Sequence, residues 1–270
     1  MDILIKYEEY LKARNQSLVY KNFIKKFLDY CEINKIDYFQ INQDIITNFF
    51  NQNSYSANSK NNFIKSGRSY GKFLEISDNQ NAWFKIKLLE VKRKIRTYMT
   101  LEDVQNAIKY ITTYNPRLNS QKIEIVLYFL FYTGIRKGEC YNLKRTDFNF
   151  EDCLVKIYAS KTKEEKIIPF PEKIRDKINQ YFQSEPEENN AFNLNKGNLE
   201  YLFRAVISKH LGKKLSPHNI RHGSAKYILN RGVPITVLQK LLGHKSIQTT
   251  LIYAEADKEE IERNYRQKIG

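Results

Sequence analysis

The sequence predicts a mainly α-helical protein of two domains, the second interrupted by a small β-hairpin, and three observations carry that prediction. Apolar and aromatic side chains recur at helical spacing along most of the chain. One stretch, from Cys153 to Pro169, switches to β-branched and aromatic residues on either side of a turn. The chain has 270 residues, more than the roughly 250 at which a single core usually stops growing.

Residues 1–75 are expected to form a four-helix domain. Ile3, Tyr7, Tyr10 and Leu11 make the first apolar stripe. Ser17 is placed to cap a second helix carrying Val19, Phe23, Phe27 and Tyr30, Asn42 a third with Ile45, Ile46 and Phe49, and Ser56 or Asn58 a fourth with Phe63, Tyr70 and Phe73. Residues 76–99 read as a basic linker, because SDNQNA is turn-like and Lys85 to Arg96 hold six basic residues against one acid. Residues 100–270 form the second domain. Thr100 opens it as an N-cap with Asp103 three positions on, and the run from Ile123 to Tyr132 is apolar all round, as in a buried helix that Gly134 ends. After the hairpin LVKIYAS…KIIPF, helices resume with EKIRDKINQYF, NLEYLFRAVISKHL, the segment from Pro217 to Asn230, VPITVLQKLL and IQTTLIYA.

Lys and Arg number 45 against 30 Asp and Glu, a net charge of +15. An excess of this size predicts a polyanionic partner, bound with release of counterions. Residues 1–99 carry 17 basic side chains against 10 acidic, so both domains are cationic. Cys31, Cys140 and Cys153 are odd in number and lack the spacing of a zinc site, which predicts neither a disulfide framework nor a metal and suits a reducing cytoplasm. The opening MDILIKYEEYLKAR has no signal-peptide pattern, and no apolar run approaches the roughly 20 residues of a bilayer span. A cytoplasmic protein is expected, with no membrane partner.

Chemistry concentrates in separated strings. Arg136 stands in YTGIRKGE, Lys161 in ASKTKEEK, His218 and Arg221 in SPHNIRH, and His244 and Tyr253 in LLGHKSIQTTLIY. Ser216 followed by Pro217 starts a helix, so His218 and Arg221, three apart, share a face of its first turns. Gly243 closes the preceding helix and leaves His244 in a tight connection, with Ser246 placed to cap the last helix. Planar guanidinium forks present paired donors to a phosphate without a metal. A tyrosine near pKa 10 is a weak nucleophile at neutral pH, so a base and a cationic site must assist it. Two arginines, two histidines, a lysine and a tyrosine thus suffice for attack of a phenol on a phosphodiester, with no cofactor.

These strings, in this order and spacing, resemble those of the tyrosine recombinases, the phage-integrase or Xer type. The resemblance is strong from about Thr100 to Tyr265 and weaker over residues 1–75, which look like the helical core-binding (SAM-like) domain of that family. It implies that Tyr253 is the nucleophile of a 3′-phosphotyrosyl intermediate, that Arg136 and Arg221 clamp the non-bridging oxygens, that His218 is the base and that His244 donates to the phosphate. Lys161 would protonate the leaving 5′-oxygen, with Lys163 and Lys166 close by in the same string, and Glu139 would orient Arg136. His222 is assigned to packing. The implied partners are double-stranded DNA with inverted-repeat core sites and three further copies of the chain, in a homotetramer on two sites. Residues 258–270 are expected to dock on a neighbouring copy. Chromosome-dimer resolution and mobile-element integration both remain open. A non-catalytic DNA-binding regulator would be expected to lack Tyr253, Arg136 or Arg221, and a type IB topoisomerase would not exchange strands between duplexes.

Overall fold

A computed structural model of the chain describes residues 3–91, 97–114, 119–159, 164–188, 190–253 and 266. The chain divides into two compact units, residues 1–94 and 95–270. Lys161, Lys163 and, apart from Arg266, the segment from 254 to 270 lie outside the described residues.

In the first unit the expected helices form as α1 (Ile3–Ala13), α2 (Val19–Ile33), α3 (Gln43–Asn51) and α4 (Ala57–Phe73). Asn42 Oδ1 accepts the Ile45 N–H and Ser56 Oγ the Ser59 N–H, so two predicted caps satisfy otherwise orphaned donors. Ser17 does not cap with its side chain; its carbonyl accepts the Tyr20 N–H instead. The core is aromatic. Phe27 meets Phe49 edge to face at 5.1 Å and Trp83 at 4.8 Å, and Phe49 meets Phe63 at 5.0 Å. Trp83, in the stretch read as linker, is 1% exposed and sits on a short helix α5 (Ala82–Lys85) capped by Asn81. Burying an indole of this size outweighs the turn-like composition around it.

The second unit is built around α7 (Ser120–Thr133), whose Ile125, Val126, Leu127, Phe129, Leu130 and Phe131 are all buried. Helix α6 (Leu101–Tyr114) precedes it, opened by the reciprocal pair of Asp103 N–H to Thr100 Oγ1 and Thr100 N–H to Asp103 Oδ2, both at 3.0 Å. Helix α8 (Lys137–Asn142) leads to a sheet of order β1-β2-β3, antiparallel throughout: β1 (Phe148–Asn149), β2 (Leu154–Ala159) and β3 (Glu164–Pro169). In that hairpin Val155 pairs with Ile168 and Ile157 with Lys166. Helices α9 (Glu172–Ser184), α10 (Lys196–Tyr201) and α11 (Ser208–Leu211) follow, the last two joined by a π-helical stretch, Leu202–Ile207. Helices α12 (Pro217–Asn230), α13 (Ile235–Leu242) and α14 (Gln248–Leu251) complete the unit. Ser216 and Pro217 open α12 as expected, with the Ser216 N–H donating to Asn219 Oδ1 at 2.8 Å.

Two glycines carry steric weight here. Gly134 ends α7 at φ +60°, a conformation costly for other residues, and turns the chain so that Arg136 arrives at the start of α8. Gly223 on α12 lets the backbone of Met99 approach so closely that an added Cβ would lie 1.6 Å from the Met99 carbonyl oxygen. The Met99 N–H donates to the Asn219 carbonyl on the same helix, which fastens the entry of the unit to α12. Cys31, Cys140 and Cys153 are unpaired and buried. Among the described residues no helix is long and apolar enough to cross a membrane.

Candidate active site

The site assembles on the carboxyl end of α13. A helix leaves its last carbonyls without intrahelical donors and concentrates negative potential there. Gly243, at φ +61°, lets the chain fold back: the His244 N–H donates to the Gln239 carbonyl at 3.1 Å and the Gly243 N–H to that of Lys240 at 3.0 Å. The next three carbonyls accept from three cations on three other elements. Lys166 Nζ, from β3, donates to Leu241 O at 3.2 Å. Arg221 Nη2, from α12, donates to Leu242 O at 2.7 Å, and Arg136 Nη2, from the start of α8, to Gly243 O at 3.1 Å. Arg136, Arg221 and His244, distant in sequence, are thereby held together.

Arg221 is 2% exposed, and its Nη1 also donates to Gly134 O at 2.7 Å. Burial pulls its pKa down to about 10, with Arg136 adding to the drop, and it stays charged at neutral pH. Glu139 provides the anion: Oε1 accepts Arg136 Nη1 at 2.8 Å, while Oε2 accepts the Arg136 backbone N–H at 2.8 Å and Lys166 Nζ at 3.3 Å. Burial alone would push the Glu139 carboxyl up, yet Lys166 and Arg136 hold it below the ordinary carboxylate range.

His244 accepts at Nε2 from Arg221 Nη2 at 3.0 Å. Because a guanidinium only donates, the ring carries its proton on Nδ1, which lies 2.9 Å from Thr250 Oγ1. Burial, reinforced by Arg221, Arg136, Lys166 and His218, pushes the His244 pKa down to about 4, so the ring is neutral at pH 7. Tyr253 is 8% exposed and packs with Ala225, Leu238 and Leu242. Its hydroxyl lies 2.8 Å from His222 Nδ1, so His222 touches the phenol and does not serve packing alone. His218 is exposed, and its ring meets that of His222 edge to face with centroids 4.3 Å apart. The i, i+4 spacing of these histidines on α12 was the available signal for their contact.

Lys166, the last residue of the string ASKTKEEK, is the other residue with no role of its own assigned from the sequence. It pairs with Ile157, which is fully buried, and shares a strand face with Ile168. A lysine on the core-facing register of a half-buried strand requires a buried partner, and Glu139 supplies it.

The model of the phage integrase family matches residues 97–260. A tyrosine recombinase of Thermosipho africanus is 28% identical over 264 residues, covering 93% of this chain and 92% of the relative. Tyrosine recombinase XerA of Pyrococcus furiosus is 26% identical over 97% of this chain and 93% of its own length. Among solved structures, the Tn1549 transposon integrase in complex with a circular intermediate DNA superposes with a TM-score of 0.74 at 17% identity, covering 99% of both chains. XerH bound to palindromic difH substrate gives 0.70 at 17%, covering 97% of this chain and 83% of that one; both likenesses establish the fold. The chain belongs to the phage integrase family and is a site-specific tyrosine recombinase, an enzyme that transfers DNA strands.

Proposed function

We propose that the cations gathered on the end of α13 hold the scissile phosphate, and that Tyr253 attacks it. The Tyr253 oxygen forms a bond to phosphorus as the bond to the 5′-oxygen breaks, leaving a 3′-phosphotyrosyl linkage and a 5′-hydroxyl. Arg136 and Arg221 neutralise the non-bridging oxygens, where charge builds up in the transition state. The proton of the phenol leaves through the pair His222 and His218, with His218 as the base at the exposed end. Lys161, or Lys163, supplies the proton to the leaving oxygen. His244 donates to the phosphate from Nε2, which requires that nitrogen to gain a proton; the charge of the bound phosphate favours that gain by offsetting the cations around the ring. The observation that carries the reading is the convergence of Arg136 and Arg221 on the adjacent carbonyls of Gly243 and Leu242, with His244 between them and Tyr253.

The partner on this reading is double-stranded DNA with inverted-repeat core sites, bound by a homotetramer that joins two sites, in the cytoplasm beside the chromosome. The net charge of +15 supports the polyanion. The near full-length match to XerA supports the Xer type of recombinase. The test uses two duplexes carrying a site selected by the protein from a random DNA pool. Exchange of strands between them without ATP is expected. Relaxation of supercoiled DNA with no exchange would instead assign topoisomerase chemistry.

A further inference from the structure

Lys166 has no part in the chemistry proposed above, yet it lies where the elements of the site meet. Its side chain is 15% exposed and that of Glu139 is 5% exposed. A lysine is buried to this degree only when its charge is answered, and here the answer comes from two directions: Glu139 Oε2 at 3.3 Å and the Leu241 carbonyl at 3.2 Å. The consequence falls on Arg136. A carboxylate beside a lone guanidinium tends to close a two-pronged pair, taking both forks of the arginine. With Oε2 engaged by Lys166 and by the Arg136 backbone N–H, only Oε1 meets the guanidinium, and Nη2 is left to reach Gly243 O.

We infer that Lys166 is a positioning residue of the recombinase: from β3 it ties Glu139 to the end of α13, and so keeps the Arg136 guanidinium turned toward the phosphate site instead of closed on its own carboxylate. This rests on the reading that Arg136 holds the phosphate. The arrangement links three elements that are remote in sequence, the α8 turn, the hairpin and the α13 end, and every link is a hydrogen bond to a charged group. Glu139 and Arg136 face Lys166 from the α8 turn, Arg221 from α12, and Leu241 O and His244 from the end of α13. Burial, with Arg221 and Arg136 adding to it and Glu139 opposing, brings the Lys166 pKa down to about 8. Above that pH the ammonium loses its charge and its hold on Glu139 loosens.

The experiment measures single-turnover cleavage of a nicked duplex, carrying the site selected from a random pool, by full-length wild type, Lys166→Met, Lys166→Arg, Glu139→Gln and the Glu139→Gln/Lys166→Met double variant. DNA affinity and melting temperature are recorded for each. Lys166→Met should cut up to about 100-fold more slowly, the cost of a small misplacement of the group that positions the reacting phosphate, with affinity unchanged. Lys166→Arg should restore most of the rate and move the alkaline fall in activity from near pH 8 to higher pH, because a guanidinium keeps its charge. In the double variant the loss should be no greater than in Glu139→Gln alone, since Lys166 acts through that carboxylate. Wild-type cleavage by Lys166→Met, losses that add in the double variant, or an alkaline limb unmoved by Lys166→Arg would each overturn the inference. Should Lys166→Met fold poorly, Lys166→Arg and its pH profile decide alone. Full cleavage by Arg136→Ala would refute the phosphate clamp itself, a result distinct from any of these.

Discussion

Replacing Arg221 by lysine separates what this side chain does for the fold from what it does for the phosphate. The guanidinium spans two carbonyls from different elements, Gly134 O through Nη1 and Leu242 O through Nη2, both at 2.7 Å, and reaches His244 Nε2 at 3.0 Å. A single ammonium keeps the charge but cannot span that fork, so at least one buried carbonyl loses its donor, at about 1–3 kcal/mol. Against a usual total of about 5–15 kcal/mol the variant stays folded. Cleavage should fall further than stability, by about 10²- to 10³-fold, because one preorganised donor to the developing charge is lost. Denaturant unfolding reads the first quantity and adduct formation on a nicked duplex at saturating protein reads the second. Wild-type cleavage by Arg221→Lys would refute the clamp. An unchanged unfolding midpoint would refute the two-carbonyl anchorage.

Further expectations follow from the same geometry. If the phenol proton leaves through His222 and His218 as a pair, His218→Ala and His222→Ala should each slow adduct formation by about 10²-fold or more, and the double variant should be little worse than either; full activity of His222→Ala would break the relay. His244 should titrate in the free protein near pH 4 with its proton on Nδ1, and higher when a phosphodiester occupies the site, so occupancy takes up protons at pH values above about 4. A free-protein midpoint at 6.5 by NMR would contradict its burial among cations. Gly223→Ala should destabilise the second unit by about 1–3 kcal/mol or more, because the new methyl must displace the Met99 carbonyl; wild-type stability would show that this segment is not docked on α12.

Helices with a regular apolar stripe and a polar cap could be read from the sequence: Asn42, Ser56, Thr100 and Ser216 each sit where a helix begins, because the capping interaction is local. The turn holding Trp83 could not, since a lone indole among polar and basic residues has no period, and its partners Phe27 and Phe50 are distant in sequence. The π-helical stretch after Tyr201 is likewise silent, as its apolar pattern is that of an ordinary helix. In the site, Arg136, Arg221, His244 and Tyr253 were legible as residue types with a shared chemistry, and all four lie within one cluster of contacts. Lys166 was masked by two nearer lysines at the hairpin tip, although strand alternation already places it on the face of Ile168 and Phe170. His222 directly follows Arg221, yet its distance of four from His218 is the telling spacing. The three-carbonyl platform could not be foreseen, because backbone acceptors carry no sequence signature.

The central claim is that Tyr253 is the nucleophile, and a covalent adduct tests it most directly. Wild-type protein incubated with a nicked duplex should yield a protein–DNA species that resists denaturation, and peptide mapping should place the nucleotide on Tyr253. Tyr253→Phe keeps the ring packed against Leu238 and Leu242 and loses only the hydroxyl that meets His222, so it should bind DNA with wild-type affinity and form no adduct. An adduct in Tyr253→Phe, or a nucleotide mapped to any other residue, would contradict the account.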